Sequence, residues 1–568
     1  MRYHALAVDF DGTLAHDGKV EAVAIDALRA LRKSGRRPIL ATGRILDDLA
    51  KVFPELDVFD AIVAENGAVL YDPATRKFQT LAPPPPEKFI AALERRGVRP
   101  IERGHTIVAT WQPHEAAVLD AIRALGLDLS VTFNKGAVMV LPSGVNKASG
   151  LAKQLDAFKL SFHNVAGVGD AENDLRFLEK CEASAAVANA LTSVKEQCDI
   201  VLDGDHGHGV CELIERIIDD DLASEPAIAR HHHIPLGKTE EGTFDVPASP
   251  PGILLAGTSG GGKSTMVAGL IERIAEAGYQ YFIVDPEGDF MEIDGAIAIG
   301  DVNTEPNLNT INDVLLQYDN GVISLLAIKI DDRSTYARRL MGRISELRAH
   351  YGRPHWLIVD ETHHLFPSVA GQTAKMFEPQ GGVVYTTTDP RLVAREALEC
   401  VDIVVAFGKK PLDTIQAARK QLGVPEPKLR GSNEDLPKGE ALVWQRARPD
   451  TVTHIQTIPG KAERHRHARK YAQGELAEEK SFYFTGPAGK LHLRAQNLLT
   501  FVQIADGVDD ETWLHHLRRH DYSDWMDRCI GDDELSGDVR AVEDNKKLSP
   551  RESRKLIDEA VRKRYTTG

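Results

Sequence analysis

Cysteine is scarce: five in 568 residues, at Cys181, Cys198, Cys211, Cys400 and Cys529, with no pair spaced as C-x-x-C. An odd, scattered set offers neither a disulfide framework nor a zinc site, and it suits a reducing compartment. Long apolar runs are missing too, none approaching the roughly 18 residues that a membrane helix needs. The chain enters a buried-strand pattern at residues 5–8, which leaves no room for a signal peptide, so the expectation is a cytoplasmic protein with no membrane partner. Aromatics make up only 6%, and no basic run is interleaved with them as in a nucleic-acid groove. Basic side chains are outnumbered 68 to 84, for a formal charge of -16, which disfavours general adhesion to nucleic acid. Internal repeats and low-complexity tracts are absent as well.

What remains is globular material, 42% apolar and 27% charged, long enough for about three to five domains. Residues 1–218 alternate short apolar runs (5–8, 38–40, 61–63, 164–168, 183–187) with a helix-period stretch at 21–33, the pattern of a parallel sheet covered by helices. Pro83 to Pro86 interrupt that pattern, and residues 81–144 are long enough for a small inserted α+β cap. Residues 219–250 read as a linker holding one or two short strands. A second alternating pattern fills 251–460, followed by a charged connector at 461–480 that contains KAERHRHARK. Residues 481–568 open with a hairpin and then read as a small amphipathic helical bundle. The expected class is α/β: two parallel-sheet domains, the first with its cap, and a mainly helical C-terminal domain.

Asp9-Phe10-Asp11-Gly12-Thr13 follows the first apolar strand directly, so both carboxylates reach the end of the sheet where open α/β folds bind ligands. Thr42 in Ala41-Thr42-Gly43-Arg44, Lys147, and Gly169-Asp170-Ala171-Glu172-Asn173-Asp174 follow other elements of the same domain. An attacking carboxylate on a phosphate needs a metal and a fixed ammonium to offset charge, and this set supplies both. These motifs, in this order, resemble the haloacid dehalogenase superfamily, whose core is Rossmann-like. Glu65-Asn66-Gly67-Ala68 and the position of the cap look like its type IIB branch, with the Cof-like, sugar-phosphate and archaeal phosphoglycolate phosphatases. The resemblance implies Asp9 as nucleophile and Asp11 as general acid and base. It implies Thr42 and Lys147 as holders of the phosphoryl oxygens. For Mg²⁺ it implies Asp9, Asp170 and Asp11 through its backbone carbonyl, with Asn173 and Asp174 in support. An acid two residues after the nucleophile resembles the phosphatases of the superfamily. The implied substrate is a small phosphorylated metabolite of the phosphoglycolate or sugar phosphate class. Arg103, Asn134 and Lys135 are polar cap residues that could touch it, and Arg44 adjoins Thr42.

Gly257-Thr258-Ser259-Gly260-Gly261-Gly262-Lys263-Ser264 fits G-x-x-x-x-G-K-[ST] between an apolar strand and a helix. Gly257, Gly260, Gly261 and Gly262 let backbone N–H groups surround the phosphates of ATP, with Ser264 and Thr265 opening the helix. Lys263 can reach the β and γ phosphates and Ser264 can bind Mg²⁺. Residues 356–361, Trp-Leu-Ile-Val-Asp-Glu, read as a buried strand ending in Asp360 for the Mg²⁺ shell and Glu361 to activate water. The run Thr386-Thr387-Thr388 ends another strand, where a sensor of the γ phosphate would sit. This order resembles the HerA/FtsK-type additional-strand ATPases. Many of these are hexameric motors that take an arginine from a neighbouring subunit, a role for which Arg338, Arg339, Arg343 and Arg391 are available. A homo-oligomer is therefore left open, and a nucleic-acid partner lacks support from charge. His206, His208, the run at 231–233, His363 and His364 lack the cysteine or spaced carboxylate partners of a zinc site.

The expectation is a Mg²⁺-dependent phosphate monoester hydrolase fused to an ATP-binding and hydrolysing P-loop domain. Two alternatives stand beside it: a bifunctional kinase and phosphatase, against which Glu361 argues, and an oligomeric nucleic-acid-processing ATPase with a phosphatase domain.

Overall fold

Four consecutive apolar residues without polar alternation, Ala5–Val8, form a strand buried along its whole length, as at the centre of a parallel sheet. The computed structural model describes residues 1–565 except 135, 226–227, 229–231, 249–251, 259–260, 369–381, 425–428, 430–432, 461–475, 477–480, 488, 490 and 531. It sets Ala5–Val8 between Val165–Gly169 and Arg37–Ala41, parallel to both, with Val8 opposite Val168 and Leu40. Ala183–Ala186 and Ile200–Val201 extend one side of this sheet and Ala61–Ala64 the other. The helix Ala22–Lys33 buries Ala24, Leu28 and Leu31, spaced four and three residues apart, as one stripe against it. Two antiparallel strands, Val69–Asp72 and Lys77–Thr80, complete the far edge. The sequence pattern does not reveal the second of these, because all four of its side chains are exposed.

The insertion forms its own layer. Helices Glu87–Arg95 and Glu115–Leu125 cover an antiparallel sheet ordered Glu102–Arg103, Val108–Trp111, Ala137–Pro142, Leu129–Asn134. Phe89, Leu93, Val118, Val138 and Val140 make its core. A separate core therefore lets this cap sit over the main sheet as a unit.

A second sheet takes its centre from Gly252–Gly257, flanked in parallel by Val383–Thr387 and Val401–Phe407. Beyond Val383–Thr387 come Trp356–Val359, Tyr281–Asp285, Asn320–Ser324 and Ala296–Ile299. On the other side, antiparallel Glu440–Gln445 and Arg448–Thr457 lead to a hairpin, His233–Thr239 with Gly242–Pro247. That hairpin lies within the stretch read as linker, and the pairing of Gly237 with Thr457 makes it part of this sheet. KAERHRHARK lies outside the described residues.

The two sheets meet where their strands begin. Asn164, Glu182, Gln280 and His355 each immediately precede a strand. Asn164 Nδ2 donates to Gly352 O at 3.2 Å, Arg353 Nη2 to Lys159 O at 2.8 Å, and Tyr279 OH to the buried Glu182 carboxylate at 2.7 Å. Toward the C-terminus, Phe482–Phe484 and Leu493–Ala495 pair as a hairpin against helices whose core centres on Phe501, Trp513 and Tyr522. Asn497 and Asp509 cap two of those helices by accepting the N–H of Thr500 and Thr512, each worth about 1 kcal/mol. Among the described residues no helix is long and apolar enough to cross a membrane.

Candidate active sites

Parallel register brings the ends of three strands of the first sheet together. Asp9 follows Ala5–Val8, Thr42 follows Arg37–Ala41 and Asp170 follows Val165–Gly169, and all three side chains are buried. Lys147 enters from the helix Lys147–Phe158, whose first turn is fixed by a reciprocal cap between Asn146 and Ser149. Its ammonium donates to Asp9 Oδ1 at 2.5 Å and to Asp174 Oδ1 at 2.6 Å. Asp174 Oδ2 accepts the N–H groups of Asp170 and Ala171, so this carboxylate is held on both sides. Thr13, absent from the sequence-based set, donates its hydroxyl to Asp170 Oδ1 at 3.1 Å.

The electrostatics follow from counting charges. Asp9, Asp170 and Asp174 offer oxygens within 4.8 Å of one another, and the Lys147 ammonium bonds two of them, Asp9 and Asp174. Burial raises the Asp9 pKa to about 8, Asp174 and Asp170 add to the rise, and Lys147 opposes it. Burial works against the charge on Lys147, but Asp174 and Asp9 outweigh it, and the ammonium stays protonated. A surplus of buried negative charge on an oxygen-only donor set fits a hard divalent cation such as Mg²⁺.

Asp11 lies half-buried beside this cluster, gripped by Arg44: Nε reaches Oδ2 at 2.8 Å and Nη2 reaches Oδ1 at 2.7 Å. The Arg44 N–H in turn donates to Thr42 Oγ1. The turn at Glu65–Gly67 touches several parts of the site at once. Gly67 packs so closely on the Asn146 carbonyl that a Cβ there would lie 1.9 Å from it, and Asn66 N donates to Thr42 O. The buried Glu65 carboxylate accepts the N–H groups of His105, Thr106 and Ile107 from the cap, at 2.9, 2.8 and 3.1 Å. Sequence reasoning used Glu65 only as a marker of a branch; its contact with the cap depends on folding. Arg103 pairs with Glu87 on an exposed face, while Lys135 and the Asn134 side chain lie outside the described residues.

In the second sheet the loop after Gly252–Gly257 turns into the helix Lys263–Glu276. Gly262, with φ +105°, makes the sharp entry that a side chain would strain. Gly260 lies outside the described residues; Gly257, Gly261, Gly262, Ser264 and Thr265 lie at the junction, with Ser264 exposed. Lys263 Nζ donates to Gly257 O at 2.7 Å, and burial lowers its pKa against the pull of Glu361 and Asp360. Asp360 ends the strand Trp356–Val359, one strand away from the loop, with Val383–Thr387 between them. From that intervening strand Thr386 Oγ1 donates to Asp360 Oδ1 at 2.6 Å and accepts the N–H of Glu361 at 2.9 Å. Burial pushes Asp360 up to about 7, Thr386 opposing and the charges of Glu361, Asp285 and Asp289 adding; burial raises Glu361 too.

Asp285, at the end of the neighbouring strand, folds its own loop by accepting the N–H groups of Glu287, Gly288, Asp289 and Phe290. Of the arginines noted above, Arg343 pairs with Glu346 and Arg391 with Asp389. Among the described residues, the acidic cluster at Asp9 is the group whose ligand atoms lie close enough to hold a metal.

Residues 6–97 and 115–214 match the family of haloacid dehalogenase-like hydrolases. The phosphoglycolate phosphatase of Methanothermobacter thermautotrophicus is 30% identical over 223 residues, covering 38% of this chain and 98% of that protein. The chain belongs to the haloacid dehalogenase-like hydrolases. A phosphoglycolate phosphatase from Pyrobaculum islandicum is 31% identical over 232 residues, 39% of this chain and all of that protein. A haloacid dehalogenase-like hydrolase from Bacteroides thetaiotaomicron, a solved structure, aligns over 38% of this chain and 100% of its own at 19% identity and a TM-score of 0.34. Residues 252–338 match the central domain of the helicase HerA. A domain of this hydrolase family is therefore joined in one chain to a P-loop domain that matches the central domain of HerA.

Proposed function

We propose that residues 1–218 hydrolyse a small phosphate monoester through an aspartyl phosphate on Asp9, and that residues 251–460 bind and hydrolyse ATP. The observation that carries the first half is the buried Lys147 ammonium bridging Asp9 and Asp174 beside Asp170. Lys147 holds Asp9 in place and stabilises the negative charge that builds on the phosphoryl oxygens; the Thr42 hydroxyl serves the same oxygens. Asp9 attacks phosphorus and the ester oxygen departs with a proton from Asp11. Asp11 then takes a proton from water, which attacks the phosphorus of the acyl phosphate and frees Asp9. Arg44 fixes where Asp11 waits between these transfers. Asp9, Asp170 and the Asp11 carbonyl would hold Mg²⁺, with Asp174 orienting them, and the ion would neutralise charge on the transferring group. The phosphoglycolate phosphatases matched above support a compact anionic substrate, phosphoglycolate or a sugar phosphate.

In the second domain Lys263 and the loop glycines would face the phosphates of ATP, Ser264 and Asp360 would hold its Mg²⁺, and Glu361 would receive the proton of the attacking water. The protein acts in the cytoplasm in this reading.

The experiment is phosphate release, with Mg²⁺, from a panel of small monoesters and from ATP, by wild type, Asp9→Asn and Lys263→Ala. Monoester turnover lost in Asp9→Asn and kept in Lys263→Ala, with the reverse for ATP, is the expected outcome. A chain that cleaves ATP and no monoester would overturn the first half; one that cleaves monoesters and no ATP, the second.

A further inference from the structure

The strand Trp356–Val359 ends in two acids that the chain must aim in different directions. Glu361 does so from a left-handed conformation, φ +40°, which costs a non-glycine residue about 1 to 2 kcal/mol. The next residues form the single turn Thr362–Leu365, tied back by Thr362 Oγ1 donating to Val359 O at 2.9 Å. This turn swings the His363 ring beneath the Glu361 side chain. His363 Nδ1 lies 3.3 Å from Glu361 Oε2 and 3.2 Å from Thr387 Oγ1. Glu361 Oε2 is buried and makes no hydrogen bond of normal geometry.

The neighbours assign the proton on this ring. With the Thr387 hydroxyl assigned to Asp389 O at 3.1 Å, its oxygen accepts from His363. In that arrangement Nδ1 carries the hydrogen and offers it to Thr387 Oγ1, with the Glu361 carboxylate oxygen 3.3 Å from the same nitrogen. Burial, together with the charges of His364 and Lys263, pushes the His363 pKa down to about 4. The ring is therefore neutral near pH 7. The intervening strand thus reaches both acids: Thr386 holds Asp360 and the Glu361 backbone, and Thr387 holds the His363 ring against the Glu361 side chain.

We propose that His363 is a positioning residue for ATP hydrolysis, its Nδ1–H steering the Glu361 carboxylate to where it accepts the proton of the attacking water. The inference rests on the hydrolytic reading of the second domain. In the step it serves, water oxygen bonds to the γ phosphorus and the bond to the ADP oxygen breaks. The water proton passes to Glu361 and from there to solvent, and His363 keeps its own.

The test uses the full chain and steady-state ATP turnover in wild type, His363→Ala, His363→Asn and His363→Gln, with monoester turnover as the control for folding. An asparagine amide nitrogen falls near the place of Nδ1; that of glutamine falls near Nε2. The expected result is a kcat for ATP lowered roughly 10- to 100-fold in His363→Ala and His363→Gln, with KM unchanged and most of the loss recovered in His363→Asn. In a Glu361→Gln background the alanine change adds no further loss. Wild-type kcat in His363→Ala, or no recovery in His363→Asn despite intact monoester turnover, removes the inference alone. No ATP turnover by the wild type removes the hydrolytic reading and this inference with it.

Discussion

Lys147 brings one positive charge to a place where Asp9, Asp170 and Asp174 are all buried. Without a cation the ionised Asp9 is therefore the unstable member, its pKa raised by burial and by its acidic neighbours. The folded state binds the Asp9 proton more tightly than the unfolded state does. Stability from this group is thus full at low pH and is lost as pH climbs from about 4 toward 8. Asp9→Asn should abolish monoester turnover yet raise the melting temperature in chelator, and the gain should widen as pH rises across that window. It should also shrink the stabilisation that Mg²⁺ confers, which a melting series with and without the ion reads directly; an Asp9→Asn protein less stable than wild type in chelator at pH 8 would sink this account. Asp9, Thr42 and Asp170 are legible in the sequence because each directly follows an apolar strand. Thr13 and Arg44 are not legible as partners, since their acids stand 157 and 33 positions away and only the folded sheet brings them near.

Between residue and domain, one carboxylate ties the core to the cap through several bonds at once. Glu65 receives three cap N–H groups, and hydrogen bonds to a charged acceptor contribute about 1.5 to 3 kcal/mol each. The close approach depends on Gly104, where an added Cβ would lie 2.6 Å from the carboxylate. Glu65→Gln turns an acceptor toward donors it can satisfy only in part, so the cap should open more often. Amide exchange at residues 105–107 should then rise by an order of magnitude or more while Ala5–Val8 and Val165–Gly169 stay protected; unchanged exchange at 105–107 would show that the cap is held elsewhere. The same scale explains what the sequence pattern captures of the fold. Strands buried on both faces, such as Ala5–Val8 and Trp356–Val359, read as unbroken apolar runs. Edge strands such as Lys77–Thr80, and the His233–Thr239 hairpin strand held by pairing with Arg448–Thr457, leave no such trace.

At the scale of the whole molecule, the contact between the two sheets lies at the starts of their strands and both sites lie at the ends. Val165–Gly169 runs from Asn164 at the contact to Asp170; Trp356–Val359 runs from His355 to Asp360. At about 3.3 Å per residue, the five or six steps from the contact set each site roughly 17 to 20 Å from it along its own strand. The contact itself is organised by Glu182, which receives Tyr279 OH, the Arg2 guanidinium and His163 Nδ1, with the His163 ring stacked on Tyr279 at 3.7 Å. Burial alone would raise the Glu182 pKa, but His163, Arg2 and His232 outweigh it and hold it down to about 2. A depressed carboxylate stabilises the fold fully above its unfolded value near 4.5 and loses that contribution as pH falls toward 2, on the order of 3 kcal/mol by linkage. Glu182→Gln should therefore lower the unfolding free energy at pH 7 and separate the first two domains into distinct calorimetric transitions. Its deficit against wild type should close as pH falls from 4.5 toward 2. Both catalytic activities should survive, because each site belongs to the far edge of its own sheet; a Glu182→Gln protein that melts as one unit with wild-type stability would mean that the contact is held by its packing and not by this charge.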